Sequence, residues 1–236
     1  MSAHLTEIRS VTLRSSTVVA HPLVEAVRRA FKDALSGRHP MDPEVLTIAG
    51  MSGRRYRIFV NALIRSLPDA RYLEVGSWAG STLCSAINGN DVTALAIDNW
   101  SEFGGPKDKF LANLDRFRTD GARVKFVESD FRDVDFSAIG AFNVYLFDGP
   151  HERRDQYDGI MLPQPALDDE FVLIIDDWNW ERVRAGTLEA IERVNLDVLY
   201  GLEIRSTLDD SHPALAWQHS DWHNGYFIAV LSKSAT

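Results

Sequence analysis

Apolar positions along the chain fall into two rhythms. Leu23, Val27, Ala30, Phe31, Ala34 and Leu35 recur at helical spacing after His21-Pro22, and Gly37 follows them. That pattern predicts a helix with a proline start and a glycine stop. Tyr56, Phe59, Val60, Leu63 and Ile64 form a second helical face, with Ser52 as its candidate cap. Its opposite face carries Arg54, Arg55 and Arg57, which read as a solvated basic face or, alternatively, as a lid over a polar substrate. From residue 70 the rhythm changes. Short apolar runs at 72–75, 92–97, 124–127, 142–147 and 171–175 predict strands. Amphipathic stretches at 107–118, 155–167 and 182–194 predict helices between them. Wholly apolar runs such as 92–97 are expected where a parallel sheet is covered on both faces. Segments 198–204 and 226–231 have no crossover helix between them, so they should pair antiparallel. Residues 1–20 are weakly patterned and read as an arm or edge segment. The pattern predicts one α/β domain over 1–236. Residues 1–67 would form a helical cap or lid, and 70–236 the core.

Composition narrows the partners. The chain has 236 residues, 45% of them hydrophobic, which suffices for one large buried core. A formal net charge of −9 without a long Lys/Arg cluster argues against a nucleic-acid backbone as ligand. The single cysteine, Cys84, excludes an intrachain disulfide and a multi-cysteine zinc site. No apolar run reaches the roughly 18 residues of a spanning helix, and the N-terminus lacks a signal-peptide core. A cytoplasmic protein that does not engage a membrane is expected. A small-molecule partner fits this composition, and a homo-oligomer stays open.

The chain is organised around residues 70–82, which read as strand, glycine turn and helix start. Gly76 permits a backbone turn and a close approach that a side chain would block. Gly80 does the same at the helix entry, and Ser81 is a good N-cap. The spacing is Glu74-x-Gly76-x-x-x-Gly80 rather than the G-x-G-x-x-G of dinucleotide sites, which disfavours an NAD-linked dehydrogenase.

In open α/β sheets, ligands bind beyond the carboxyl ends of the strands. Asp98, followed by Asn99 and Trp100, ends the second core strand, where a carboxylate can accept both ribose hydroxyls or, alternatively, cap the next turn. Glu128-Ser129-Asp130-Phe131 ends the third, and a surface turn capped by Asp130 is an equally simple reading. Asp148 follows the fourth, in Phe147-Asp148-Gly149-Pro150-His151. Asp176 and Asp177 follow the fifth. Neighbouring strands lie about 5 Å apart, so three carboxylates should converge. Two such charges at about 4 Å repel by roughly 4 kcal/mol at an effective dielectric near 20. A raised pKa, a cation or diverging side chains must offset that. An all-oxygen set suits a hard ion such as Mg²⁺ better than zinc.

The Glu74-x-Gly76-x-x-x-Gly80 turn resembles motif I of class I S-adenosylmethionine (SAM) methyltransferases. With Asp148, Asp176 and Asp177 it resembles metal-dependent O-methyltransferases of the catechol type and of the macrocin-related antibiotic-sugar type. The resemblance spans roughly residues 70–180. It implies a Rossmann-like fold with a mostly parallel seven-stranded sheet, an antiparallel last strand, and helices on both faces. It implies SAM as cofactor, with Glu74, Gly76, Ser77, Gly80, Ser81, Asp98, Asn99, Trp100, Asp130 and Phe131 around it. The glycines would pass under the methionine part, Asp98 would hold the ribose, and Asp130 and Phe131 would meet the adenine. It further implies Asp148, Asp176 and Asp177 as ligands of Mg²⁺ or another divalent ion, and methyl transfer to a hydroxyl of a sugar-like or catechol-like acceptor.

One position departs from that pattern. The catechol type has its lysine base three residues after the first metal acid, and here that residue is His151. A neutral imidazole can serve as base near pH 7, so His151 and Asp148 are the candidate catalytic pair, although a capping or packing histidine also fits. Trp100, Trp178 and Trp180 follow strand ends and read either as core or as a wall of the site. His219, Asp221, Trp222 and His223 read as a loop. A metal-independent SAM methyltransferase and a non-catalytic SAM- or nucleotide-binding module remain the competing readings.

Overall fold

The computed structural model describes residues 7–15, 20–215 and 217–234. Residues 1–6 and 16–19 of the expected N-terminal arm lie outside them. Eight strands form one sheet: β1 (Ser10–Ser15), β2 (Ala70–Val75), β3 (Val92–Asp98), β4 (Ala122–Glu128), β5 (Phe142–Phe147), β6 (Leu167–Ile175), β7 (Leu196–Arg205) and β8 (Tyr226–Lys233), in the order β1-β7-β8-β6-β5-β2-β3-β4. β2 to β6 run parallel, and β8 runs antiparallel between β6 and β7. This is the Rossmann-like methyltransferase fold, with one strand more than expected. The eighth is β1, an edge strand antiparallel to β7 with Leu13 opposite Leu202.

The two faces of the sheet follow from side-chain alternation. Tyr72 points toward helices α1 (Pro22–Ser36), α2 (Arg54–Arg65), α3 (Ser81–Ile87) and α4 (Lys107–Phe117). Leu73, its neighbour, points toward α5 (Arg153–Met161) and α6 (Glu181–Arg193). α1 starts with Pro22 and stops at Gly37, whose φ of 70° is the left-handed stop that glycine favours. α5 is shorter than expected. A Glu152/Asp155 capping box opens it, and a 3₁₀ turn, Gln164–Ala166, separates it from β6.

α2 differs from its expectation. It is buried along nearly its whole length, and Gly53 rather than Ser52 stands at its N-cap. Arg57, read above as part of a solvated face, is fully buried, and Arg55 pairs with Asp221 at 2.8 Å. Only Arg54 of the three is exposed.

Strand register sets the site. Val75 lies opposite both Ile97 and Phe147, and Phe147 lies opposite Ile175. The next residues, Gly76, Asp98, Asp148 and Asp176, therefore form one row along the carboxyl edge. Between β2 and β5 the strand order reverses, the switch point where such sheets bind ligands.

Candidate functional site

A cavity opens along this row. Met51, Val75, Gly76, Trp78, Ile97, Asp98 and Asn99 line it together with Ser101–Phe103, Ser129–Phe131 and Asp148–His151. Its shape begins with the glycine turn. Gly76 has φ 88°, and a Cβ there would lie 1.8 Å from the Asp148 carbonyl oxygen. The glycine is thus required by the neighbouring strand end as well as by the turn.

Asp98 organises the turn. Its Oδ2 accepts the N–H groups of Ser77 and Trp78, each at 2.7 Å, and its Oδ1 accepts Trp100 N–H at 2.6 Å. The carboxylate expected to meet the ribose thus also locks β2 to β3. Oδ2 thus has both acceptor sites filled, and Oδ1 keeps one. Asn99 lines the cavity, but its Oδ1 accepts Ser101 N–H and Oγ–H. Trp100 is not among the lining residues. It packs on Phe110 and Phe126, and its ring N–H donates to the Trp78 carbonyl.

Behind the turn, Glu74 is buried and outside the lining. It accepts Tyr72 O–H at 2.6 Å, and its other oxygen lacks a partner. Burial pushes its pKa up to about 8. Ser77 Oγ is likewise buried, beside the Glu74 carboxyl. Gly80, at φ 82°, gives the chain room beside Phe110 rather than lining the cavity. Ser81 sits in the first turn of α3, not at its cap, and its hydroxyl lies 3.1 Å from Ser52 Oγ. At the far end, Asp130 caps a 3₁₀ turn by accepting Arg132 N–H at 2.9 Å. Phe131 packs edge-on against Phe147, with the Arg132 guanidinium over its ring.

At the other end, Asp148, His151 and Asp177 bring one donor atom each within 4.8 Å of one another. His151 Nε2 is 2.7 Å from Asp177 Oδ2 and 3.8 Å from Asp148 Oδ1. The short contact is an ion pair not aligned as a hydrogen bond. Asp177 reaches this position through a left-handed backbone, φ 56°, and its Oδ1 accepts Asn224 Nδ2–H at 2.7 Å. Asp176 stands outside the group. Its Oδ1 accepts the N–H of Asp177 at 2.7 Å, on the buried side of the strand end. The grouped donors are two carboxylates and an imidazole, and the Asp176 carboxyl adjoins that of Asp148.

Electrostatics separate the two adjacent acids. Burial, with Asp148 and Asp177 nearby, pushes Asp176 well above the usual carboxylate range. Burial acts on Asp177 too, but its contact with His151 outweighs it and holds this carboxyl below its ordinary value. Burial lifts Asp148 to about 6 against the pull of His151. Burial alone would lower His151, yet Asp148 and Asp177 hold it up to about 10. In this arrangement His151 keeps its proton at neutral pH and cannot accept another. The expected base needs its carboxylates neutralised first.

Trp178 belongs to the core, stacked on Phe227 at 4.5 Å and donating to Glu203. Trp180 borders the site, edge-on to His151 at 5.4 Å and to His212 at 5.0 Å. The loop before β8 holds no metal cluster among the described residues. In it, Trp222 is buried, and His223 Nδ1 accepts the N–H of Trp217, so the neutral ring carries its proton on Nε2. Met51, Trp78 and Ser101–Phe103 line the cavity but escaped sequence reasoning. Trp78 could have been noticed as an aromatic between the two glycines, but Met51 has no local signal.

Residues 73–178 match the model of a family described as Methyltransferase domain. No curated protein matches the sequence. Among solved structures, cofactor-bound Rv0187 from MTB superposes with a TM-score of 0.52 at 15% identity, over 91% of this chain and 92% of that one. TrmN from Thermus thermophilus does so at 0.50 and 13% identity, over 75% of this chain but 48% of its own, so this chain spans about half of TrmN. The SAH complex of SMU.776, a methyltransferase by assignment, gives 0.50 at 11% identity, over 76% and 48%. At these identities the likeness speaks for the fold, and the family match speaks for the domain. No helix among the described residues is long and apolar enough to cross a membrane. Residues 73–178 thus resemble a methyltransferase domain, and the sheet that contains them has the fold of the methyltransferase structures named above.

Proposed function

We propose that the protein transfers the SAM methyl group to a hydroxyl of a small acceptor, received at Asp148, His151 and Asp177, with a divalent cation seated there. The observation that carries this reading is the convergence of those three donors at the end of the cofactor cavity that contains Gly76. The donor set fits a cation. Two carboxylates supply charge, and a buried imidazole nitrogen has no aligned partner. Because one donor is nitrogen, Mn²⁺ or another first-row ion suits the site better than Mg²⁺. When bound, such an ion holds and acidifies a hydroxyl.

The chain's own residues do the rest. Asp98 and the glycine turn fix the cofactor, and Asn224 holds Asp177 so that its second oxygen faces His151. In the transfer, the acceptor oxygen forms a bond to the methyl carbon as the carbon–sulfur bond breaks. SAH leaves with the sulfur electron pair, and the hydroxyl proton passes to a carboxylate or to water. A sugar-like or catechol-like acceptor is compatible with this site.

The 2.7 Å contact between His151 and Asp177 favours a second reading. The imidazolium itself occupies the cation position, and the enzyme works without metal. Methyl transfer from labelled SAM to a panel of phenolic, catecholic and sugar hydroxyls, with EDTA and then Mn²⁺, separates the readings. Loss of turnover with EDTA and recovery with Mn²⁺ supports the first. Full turnover in EDTA supports the second. Transfer to nitrogen or carbon acceptors alone would sink both.

A further inference from the structure

Arg57 is a fully buried guanidinium that pairs with no carboxylate among the described residues. Its donors go to oxygens of one connector. Nε–H donates to Ser52 Oγ at 2.9 Å, Nη1 to the Ile48 carbonyl at 2.7 Å, and Nη2 to the Gly50 carbonyl at 3.2 Å. Longer contacts reach the Val45 and Leu46 carbonyls. Burial lowers its pKa to about 10, so it stays charged at neutral pH. Burying a cation without a counter-ion is costly, and an apolar side chain would fill the same volume without that cost.

What the charge holds in place is the wall of the cavity. The connector is clamped on both sides: a Cβ on Gly50 would lie 2.2 Å from Ser81 Oγ, and one on Gly53 would lie 2.2 Å from the Asp221 carbonyl. Between these glycines, Ser52 meets Ser81 in the first turn of α3, and Met51 lines the cavity. Among the described residues, Met51 is the one lining residue from outside 73–178. Its neighbour Ser52 meets Ser81, which opens the helix that follows the glycine turn. In and before that turn, the Ser77 hydroxyl and the Glu74 carboxyl are buried beside each other.

We infer that Arg57 is a positioning residue for the amino-acid end of the cofactor, acting through Met51 and the Ser52–Ser81 contact. The planar fork suits this task, because its five donors can bind several carbonyls at fixed angles, whereas a lysine ammonium cannot reproduce them.

The inference rests on SAM as cofactor, and its test uses two ligands that differ only at that end. SAH carries the amino-acid group, and 5′-methylthioadenosine keeps the adenosine and thioether without it. Calorimetric titration of wild type, Arg57→Gln, Arg57→Lys and Ser52→Ala is the measurement. SAH affinity should fall at least about tenfold in Arg57→Gln, as expected for lost charged contacts. It should fall less in Arg57→Lys and Ser52→Ala, while methylthioadenosine affinity holds within about twofold in every variant. A parallel loss of both ligands, or unchanged SAH binding, would return Arg57 to a packing role. If Arg57→Gln does not fold, Ser52→Ala and Met51→Ala decide by the same ratio. A wild type that binds neither ligand would overturn the cofactor assignment and this inference with it.

Discussion

The carbonyl oxygen of Asp148 occupies the space where Gly76 would carry a side chain, with a Cβ–oxygen separation of only 1.8 Å. The glycine turn after β2 and the candidate chemical end of β5 are therefore one packed unit. Val75 O, which accepts the Asp148 N–H at 2.9 Å, joins them by backbone as well. Gly76→Ala would have to separate the two strands and also adopt φ near 88°. We expect a loss of about 3 kcal/mol or more in stability, together with weakened SAH binding. Denaturant unfolding and calorimetry check this. A variant of normal stability would show that the strand ends can move apart.

Asp98 holds the turn and, on the proposed reading, the cofactor, so its removal should be felt twice. Asp98→Ala leaves the N–H groups of Ser77, Trp78 and Trp100 without their acceptor and also takes the carboxylate from the cavity. Hydrogen bonds to a charged group contribute about 1.5–3 kcal/mol each, so SAH affinity should drop tenfold or more. Unchanged affinity in calorimetry would mean the cofactor does not use this strand end.

Glu74 makes stability depend on pH. Its folded-state pKa, about 8, lies above the ordinary 4.5 because burial favours the neutral acid. Its contribution is full below pH 4.5 and is lost as pH rises through 8. Ionising it in place costs at most about 4–5 kcal/mol. Glu74→Gln should therefore match wild type near pH 4.5 and exceed it in melting temperature near pH 8.5. Equal curves at both pH values would show that the carboxyl is hydrated.

Asp176 and Asp177 should respond in opposite directions. Asp176 is buried and pushed toward its neutral form, so Asp176→Asn relieves repulsion and should hold or raise the melting temperature at pH 7. Asp177 carries the contact with His151 and accepts Asn224, so Asp177→Asn should destabilise the apo protein by about 2–4 kcal/mol. Thermal melts of the two variants side by side decide it, and a matching response would merge the two acids into one role.

Much of this was legible because parallel strands covered on both faces must be apolar throughout, as residues 92–97 and 171–175 are. β1 was not legible, because Val11 and Leu13 remain exposed and its partner is β7, far along the chain. The row of acids was visible in the sequence, but their division of labour was not. Asp176 and Asp177 are adjacent and alike, and the left-handed backbone at Asp177 decides which one meets His151. Arg57 looked like surface because its helical neighbours Arg54 and Arg55 are basic. Apart from Ser52 Oγ, its acceptors are backbone carbonyls, which every residue has and no sequence pattern marks. Met51 was hidden for the same reason, since only the clamped connector brings it to the cavity.

The central claim is that the SAM cavity ends at the Asp148–His151–Asp177 group. A crystal structure with SAH tests it most directly. The expected result is adenine beside Phe131 and ribose at Asp98, with the SAH sulfur facing the space between Asp148 and His151. SAH bound with its sulfur turned away from those three side chains, or bound outside the cavity, would contradict it.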